Sequence, residues 1–206
     1  AEVIRKARLA RELGADGQLC VTPYYNKTTQ PGLIAHYSAI ADDGALPMIL
    51  YNVPSRTGLN LQSATLAALA DHEMIVGMKE ASGDMVQIME ELRLCGDKIA
   101  FYAGSDELTA PMMAMGGQGV ISVAANIAPA LMRQMTHAPL PQAAQLNLRL
   151  LPLIRALFAE VNPIPVKAAA AMLGLCENRV RLPLVEMTAE NQQKLKAEME
   201  RIGLLC

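Results

Sequence analysis

Met74-Ile75-Val76-Gly77-Met78 is an unbroken apolar run, closed by Lys79 and followed by the polar stretch Glu80-Ala81-Ser82-Gly83-Asp84. Its length, its β-branched centre and the Gly-containing turn behind it predict a short strand, Ile75 to Met78, buried on both faces as in a parallel sheet. Lys79 then stands where that strand leaves the interior. In low-dielectric surroundings an ammonium loses part of its preference for the charged form and becomes a nucleophilic amine, the species that condenses with a carbonyl to give a Schiff base. Lys6, Lys27, Lys98, Lys194 and Lys196 fall in polar helical or turn contexts, and Lys167 follows the Pro-rich corner Asn162-Pro163-Ile164-Pro165-Val166. Taken by itself, a lysine at a strand end is more often a surface residue snorkelling outward than a catalyst. The neighbouring segments decide between the two.

Working outward, similar short runs recur: Leu19-Cys20-Val21-Thr22, Met48-Ile49-Leu50-Tyr51, Ile99-Ala100-Phe101-Tyr102 and Gly119-Val120-Ile121-Ser122. Helical patterns lie between them, from an opening helix through about Leu13 to segments near 31–43, 61–71, 84–95, 106–115 and 127–137. Such alternation of strand and helix predicts an α/β fold with parallel strands. From about Pro141 the strands stop, and helices near 141–160, 164–174 and 188–202 follow, with Pro139, Pro141 and Pro163 as punctuation. Five βα units fall short of the eight in a closed (β/α)8 barrel, which usually takes about 250 residues. Ala1 enters directly into an apparent helix with no initiating Met, capping residue or preceding strand. Five units fit either an open sheet or a barrel entered partway, and the beginning favours the second: the expected architecture is a partial TIM (β/α)8 barrel of about five units in residues 1–138, its first three units absent, followed by a C-terminal helical subdomain in residues 139–206.

Composition narrows the function classes. With 52% hydrophobic residues in 206, the chain can bury a substantial core. Eighteen basic and twenty acidic residues spread along the chain give a net charge of −2, so there is no basic footprint for nucleic acid, and two Phe without Trp leave little for base stacking. No apolar run reaches the roughly 18 to 20 residues of a membrane span, and Arg5-Lys6-Ala7-Arg8, flanked by Glu2 and Glu12, reads as an amphipathic helix face and not as a signal peptide. Cys20, Cys95, Cys176 and Cys206 share no CxxC spacing, which predicts neither a metal nor a redox centre and suits a reducing, cytoplasmic setting. His36, His72 and His137 are scattered and read as surface or helix-end residues within helical stretches.

The polar residues of interest gather just after the strands: Thr22-Pro23-Tyr24-Tyr25-Asn26-Lys27, Tyr51-Asn52-Val53-Pro54-Ser55-Arg56-Thr57-Gly58, Lys79 to Asp84, and Gly104-Ser105-Asp106. In parallel α/β architectures the carboxyl ends of the strands form the active face, so these segments are expected to converge. A phenol beside an imine can shuttle a proton and a guanidinium offers two parallel donors to a carboxylate, which makes Tyr51 an acid/base candidate and Arg56 a substrate anchor. Each has a plainer reading. Tyr24 and Tyr25 also suit a half-buried contact surface, Arg56 a solvated charge, Glu80 a first-turn acid, Asp84 an N-cap, and Gly104-Ser105-Asp106 a turn and cap.

Taken together, Val21 to Lys27, Leu50 to Gly58, Gly77 to Gly83, Gly116-Gly117-Gln118-Gly119-Val120-Ile121-Ser122-Val123 and Asn162 to Lys167 resemble the dihydrodipicolinate synthase family, also called 4-hydroxy-tetrahydrodipicolinate synthases. The resemblance runs over nearly the whole chain. It implies that Lys79 forms an imine with pyruvate, that Tyr51 relays protons as the imine becomes an enamine, and that Tyr25 reaches across a dimer interface to complete the relay. It further implies that Arg56 binds the carboxylate of aspartate 4-semialdehyde, that Ile121 makes a main-chain contact to pyruvate, that Gly104 lies in the substrate-binding surface, and that Tyr24 lines the site where some members bind lysine as an inhibitor. No metal or dissociable cofactor is implied, and the expected assembly is a homodimer or homotetramer. The family's Thr-Thr-Gly-Glu type loop is absent from these 206 residues. Related aldolases such as N-acetylneuraminate lyase keep the lysine and the tyrosine, and Arg56 favours the synthase because a short carboxylate-bearing aldehyde needs a charge partner. A binding remnant without turnover stands as the other reading.

Overall fold

The computed structural model describes residues 1–44 and 46–205; Cys206, one of the four thiols, lies outside them. The chain is α/β and divides into two compact units, Ala1–Ile121 and Ser122–Cys206. Among its described residues the first carries five strands, β1 (Gln18–Val21), β2 (Met48–Asn52), β3 (Ile75–Glu80), β4 (Ala100–Ala103) and β5 (Gly119–Val120), all parallel and in sequential order across the sheet. The helices of this unit are α1 (Glu2–Glu12), α2 (Gln30–Gly44), α3 (Pro54–Thr57), α4 (Ser63–Leu69), α5 (Met85–Cys95) and α6 (Thr109–Ala114).

Register sorts the strand residues onto two faces. Cys20, Leu50, Met78 and Phe101 form one cross-strand row, and Leu50, Met78 and Phe101 are fully buried with Leu33, Tyr37, Leu66 and Leu69 from the helices. Each such side chain removes enough apolar area from water to contribute about 1.5–3 kcal/mol, so this helix-covered face holds the unit together. The opposite face carries the row Val21, Tyr51, Lys79, Tyr102 and Gly119. A register shift between Met48 and Ile49 inserts Val76 as an extra residue in β3, so that Ile75 keeps the buried face while Gly77 and Lys79 take the other. That is why Val76, a branched apolar residue, is 42% exposed.

The expected strands are present with shifted ends. The largest shifts, of two residues, are in β3 and β5; β3 runs past Met78 to Glu80, so Lys79 sits inside the ladder between Tyr51 and Tyr102. β5 is two residues long where four were expected, ending before Ile121. His72 lies in the turn between α4 and β3 and not in a helix, its Nδ1 accepting from Met74 N–H and its Nε2 3.0 Å from Asp42 Oδ1. The short helix α3 was not anticipated; Pro54 at its first position lacks only an N–H that would have no partner there.

The second unit is helical among its described residues, with α7 (Pro129–His137), α8 (Leu140–Leu157), α9 (Ile164–Met172) and α10 (Ala189–Arg201). In α8 the buried positions Ala143, Asn147, Leu150, Ile154 and Leu157 recur at intervals of three and four, the stripe that packs on α7 and α10. No helix among the described residues is long and apolar enough to cross a membrane.

Candidate active site

Tyr51 and Lys79 are direct cross-strand neighbours in β2 and β3 and project from the same face. The Lys79 Nζ lies 4.2 Å from the centroid of the Tyr51 ring, a cation–π distance worth about 0.5–2 kcal/mol depending on desolvation. Burial pushes the Lys79 amine below the ordinary lysine range, opposed by the negative charge of Asp106 and reinforced by the positive charge of Arg56. The same burial raises the Tyr51 phenol, and Arg56 pulls it back. Arg56 thus acts electrostatically on both partners.

Local structure explains how Arg56 comes to be there. Immediately after β2 the chain turns through α3: Arg56 N–H and Thr57 N–H both donate to Val53 O, at 2.9 and 3.1 Å, and Gly58 N–H donates to Pro54 O at 2.8 Å. Gly58 closes the turn in the left-handed region with φ +63, so the conformation calls for glycine; a Cβ there would meet only the flexible end of Lys27, 2.8 Å from its Nζ, which can swing aside. Two buried hydroxyls fasten the turn to β1: Thr22 Oγ1 donates to Thr57 Oγ1 at 3.0 Å, and Thr57 Oγ1 donates to Leu59 O at 3.0 Å.

Gly104 and Ile121 each stand one residue past a strand end. Gly104 N–H donates to Glu80 O at 2.7 Å and Ile121 N–H to Ala103 O at 2.9 Å, so both extend the ladder at the carboxyl end of the sheet. Tyr24 and Tyr25 differ: they lie on the loop after β1, 73% and 88% exposed, and the structure does not bring them to the Tyr51–Lys79 pair. Two residues escaped the sequence reading. Tyr102 stands beside Lys79 on the same face, its ring between the Cα positions of Gly77 and Gly119, where an added Cβ would touch it at 3.7 and 3.9 Å. Asp106, read as part of a turn and cap, is buried and supplies the anionic influence on Lys79. The signal for Tyr102 was its place in β4 one residue before the strand end; for Asp106 there was only the polar segment after that strand.

Behind the sheet lies a buried polar network. Asn52 Nδ2 donates to Asn60 Oδ1 at 2.8 Å and to Glu80 Oε2 at 3.1 Å, while its Oδ1 accepts Leu61 N–H at 3.0 Å. Gln87 Nε2 donates to Leu61 O at 2.9 Å and Glu91 Oε1 at 2.7 Å. Among the described residues, no group of three or more His, Cys, Asp or Glu side chains is arranged to hold a metal ion.

A parallel α/β sheet presenting a desolvated lysine against a phenol, with a guanidinium acting on both, is an arrangement able to form and hold an imine. The sequence matches the family described as Dihydrodipicolinate synthetase family over residues 1–202. The chain belongs to that family. It is 52% identical over 209 residues to the 4-hydroxy-tetrahydrodipicolinate synthase of Geobacter metallireducens, an alignment spanning 100% of this chain and 72% of that one. Among solved structures it is similar to the chloride-inhibited dihydrodipicolinate synthase of Acinetobacter baumannii complexed with pyruvate, with TM-score 0.95 and 42% identity over 98% of this chain and 71% of that one. It is likewise similar to the dihydrodipicolinate synthase of Cyanidioschyzon merolae with lysine bound, with TM-score 0.94 and 40% identity over 98% and 70%.

Proposed function

We propose that this chain carries the imine-forming machinery of a 4-hydroxy-tetrahydrodipicolinate synthase, a lyase that condenses pyruvate with aspartate 4-semialdehyde on the route to diaminopimelate and lysine. The observation that carries this reading is the desolvated Lys79 amine held 4.2 Å from the Tyr51 ring in a chain of that family. Lys79 Nζ adds to the keto carbon of pyruvate and water leaves, giving a cationic imine. That cation draws electrons from the methyl group, so loss of a methyl proton yields an enamine, with the Tyr51 hydroxyl as the proton carrier. The enamine carbon attacks the aldehyde, whose carboxylate pairs with Arg56, and the amino group of the second substrate then displaces Lys79 from the imine as the ring closes. The bonds made and broken balance without a metal or a redox cofactor.

We propose main-chain roles at pyruvate for Gly104 and Ile121, which stand one residue past the ends of β4, the neighbour of the Lys79 strand, and of β5, the next strand along. Tyr25 and Tyr24 are proposed to act from an interface with a second copy, the former on the proton relay and the latter at a lysine-binding site; their exposure supports this. The sequential parallel order of β1 to β5 supports an arc of a (β/α)8 barrel; its extent is proposed as residues 1–138, with 139–206 as the helical subdomain, whereas the compact units divide after Ile121. The test is exchange of the pyruvate methyl protons for deuterium, followed by proton NMR. Exchange that needs Lys79 supports the reading, and exchange that survives Lys79→Ala, or is absent from the parent chain, refutes it.

A further inference from the structure

Lys79 and Tyr51 are each followed by a polar residue pointing the other way, into the interior behind the sheet. Those residues are Glu80 and Asn52, themselves cross-strand neighbours and both fully buried. Glu80 makes contacts to three elements: its Oε2 accepts from Asn52 of β2, its Oε1 accepts Ser82 N–H in the turn that follows β3, and its carboxyl meets that of Glu91 from α5. Glu91 is also fully buried; its Oε1 accepts from Gln87, whereas its Oε2 has no donor facing it among the described residues. An ionised Glu91 would leave that oxygen buried and unpaired against a second carboxylate, which is costly. A protonated Oε2 becomes a donor, and the acceptor available to it is Glu80.

We propose that Glu80 and Glu91 share one proton as a singly charged carboxyl pair, and that this pair is a positioning device that fixes the ends of β2 and β3, and with them the Tyr51–Lys79 couple on the opposite face. Burial raises both carboxyls; the Asn52 amide and Ser82 N–H, which donate to Glu80, oppose the rise there and make it the ionised member, whereas Glu91 is the neutral member, its carboxyl pushed up to about 9 by burial first and by the Glu80 charge second. The charged and titratable groups around Glu91 are Glu80 on β3, Asp84 at the start of α5 and Cys95 at its end; α4, which packs along α5, carries no ionisable side chain. Sharing a proton lets an acid pair occupy the interior with one net charge, and that charge is spread over three bonded neighbours. Geometry set from behind leaves the reacting face free for substrate.

The proposal rests on Lys79 being the reactive amine, and the experiment separates the two ideas. In protein labelled with carbon-13 at the glutamate carboxyl, one resonance is expected to stay protonated through neutral pH and titrate near pH 9, and to vanish in Glu91→Gln. Borohydride trapping of pyruvate is expected to slow about ten-fold or more in Glu91→Ala, the rate equivalent of one lost buried hydrogen bond. Glu91→Gln, whose amide donates where the protonated oxygen did, is expected to restore trapping to within about three-fold of the parent and to retain only the pH dependence set by the Lys79 amine, without the part that comes from ionisation of the pair. A glutamate spectrum with every carboxyl titrating below pH 7, or equal trapping in Glu91→Ala and the parent, overturns the proposal. Should the parent trap no pyruvate, the Lys79 reading fails instead, and the carboxyl titration, with the midpoint of the Lys79 amine in Glu80→Gln against the parent, still decides the pair. A midpoint moving toward 10.5 supports positioning and an unmoved midpoint refutes it.

Discussion

Replacing Gly104 with alanine is expected to damage both stability and the lysine. A Cβ at this position would lie 2.7 Å from Ala81 Cβ, 3.0 Å from Glu80 O and 3.2 Å from Glu80 C. Carbon atoms in contact sit about 3.5–4.0 Å apart, so the first of these is nearly an ångström too close. None of the three atoms can rotate away, because two belong to the backbone and the third is a methyl fixed to it. Relief requires the loop after β4 to back away from β3, which stretches the 2.7 Å bond from Gly104 N–H to Glu80 O. Overpacking costs about 1–3 kcal/mol and the weakened hydrogen bond about 0.5–1.5, so Gly104→Ala should lose about 1.5–4.5 kcal/mol. At about 2–4 °C per kcal/mol for a chain of this size, Tm falls by roughly 3–18 °C. The same shift carries Asp106 away from Lys79; since its charge raises the lysine's pKa, the midpoint should also drop. Gly174→Ala is the control: φ is +72 with nothing within 4 Å, so it adds backbone strain of about 1–2 kcal/mol and leaves Lys79 untouched. Urea unfolding followed by circular dichroism, together with the pH dependence of Lys79 acetylation read by peptide mass spectrometry, measures both effects. A Gly104→Ala protein within about 0.5 kcal/mol of the parent, with an unmoved Lys79 midpoint, would refute the steric reasoning.

Phe101→Ala empties the middle of the helix-covered face and should cost about 3–5 kcal/mol in urea unfolding; a loss below 1 kcal/mol would mean that the face is not the core. Tyr51→Phe keeps the ring over Lys79 but removes the hydroxyl, so pyruvate trapping should persist while methyl-proton exchange slows by about 10²–10⁴-fold, and unchanged exchange would exclude the phenol as proton carrier. Arg56→Gln and Asp106→Asn should move the Lys79 midpoint in opposite directions. Removing the cation relieves repulsion of the ammonium and raises the midpoint, whereas removing the anion lowers it, in both cases from a parent value already below 10.5; shifts of the same sign would contradict the site electrostatics. Glu91 sets a slope of stability with pH. Its carboxyl holds its proton in the folded state up to about 9 but only to 4.5 when unfolded, so its contribution is complete below 4.5 and declines as pH rises toward 9. Glu91→Gln should flatten that decline in urea titrations, and an unchanged slope would count against the buried neutral carboxyl.

The strands were legible because a parallel strand packed beneath helices and between other strands reads as an apolar run, as Met48-Ile49-Leu50 and Ile75 to Met78 do. Lys79 was legible for the complementary reason, an ionisable group placed directly behind such a run. The end of β3 was not. Glu80 looks like a loop acid, and only the amide of Asn52 and the N–H of Ser82, distant or unreadable in sequence, allow it to continue a buried strand. Glu91 sits beside Glu90 in the string Met89-Glu90-Glu91-Leu92, where one acid pairs with Arg93 in solvent and the other is buried, and no local pattern separates them. Tyr102 depends on register, which belongs to pairs of strands and not to any one of them. The extra residue at Val76 was hidden likewise, since a bulge changes which face a residue takes without changing its hydrophobicity.

One measurement reaches the central claim directly. The chain is incubated with pyruvate, reduced with borohydride and digested, and the modified peptide is located by mass spectrometry. The account predicts a single reduced pyruvate adduct on Lys79, absent from Lys79→Ala, with the other six lysines unmodified. An adduct spread over several lysines, or found on another one while Lys79 stays free, would contradict it.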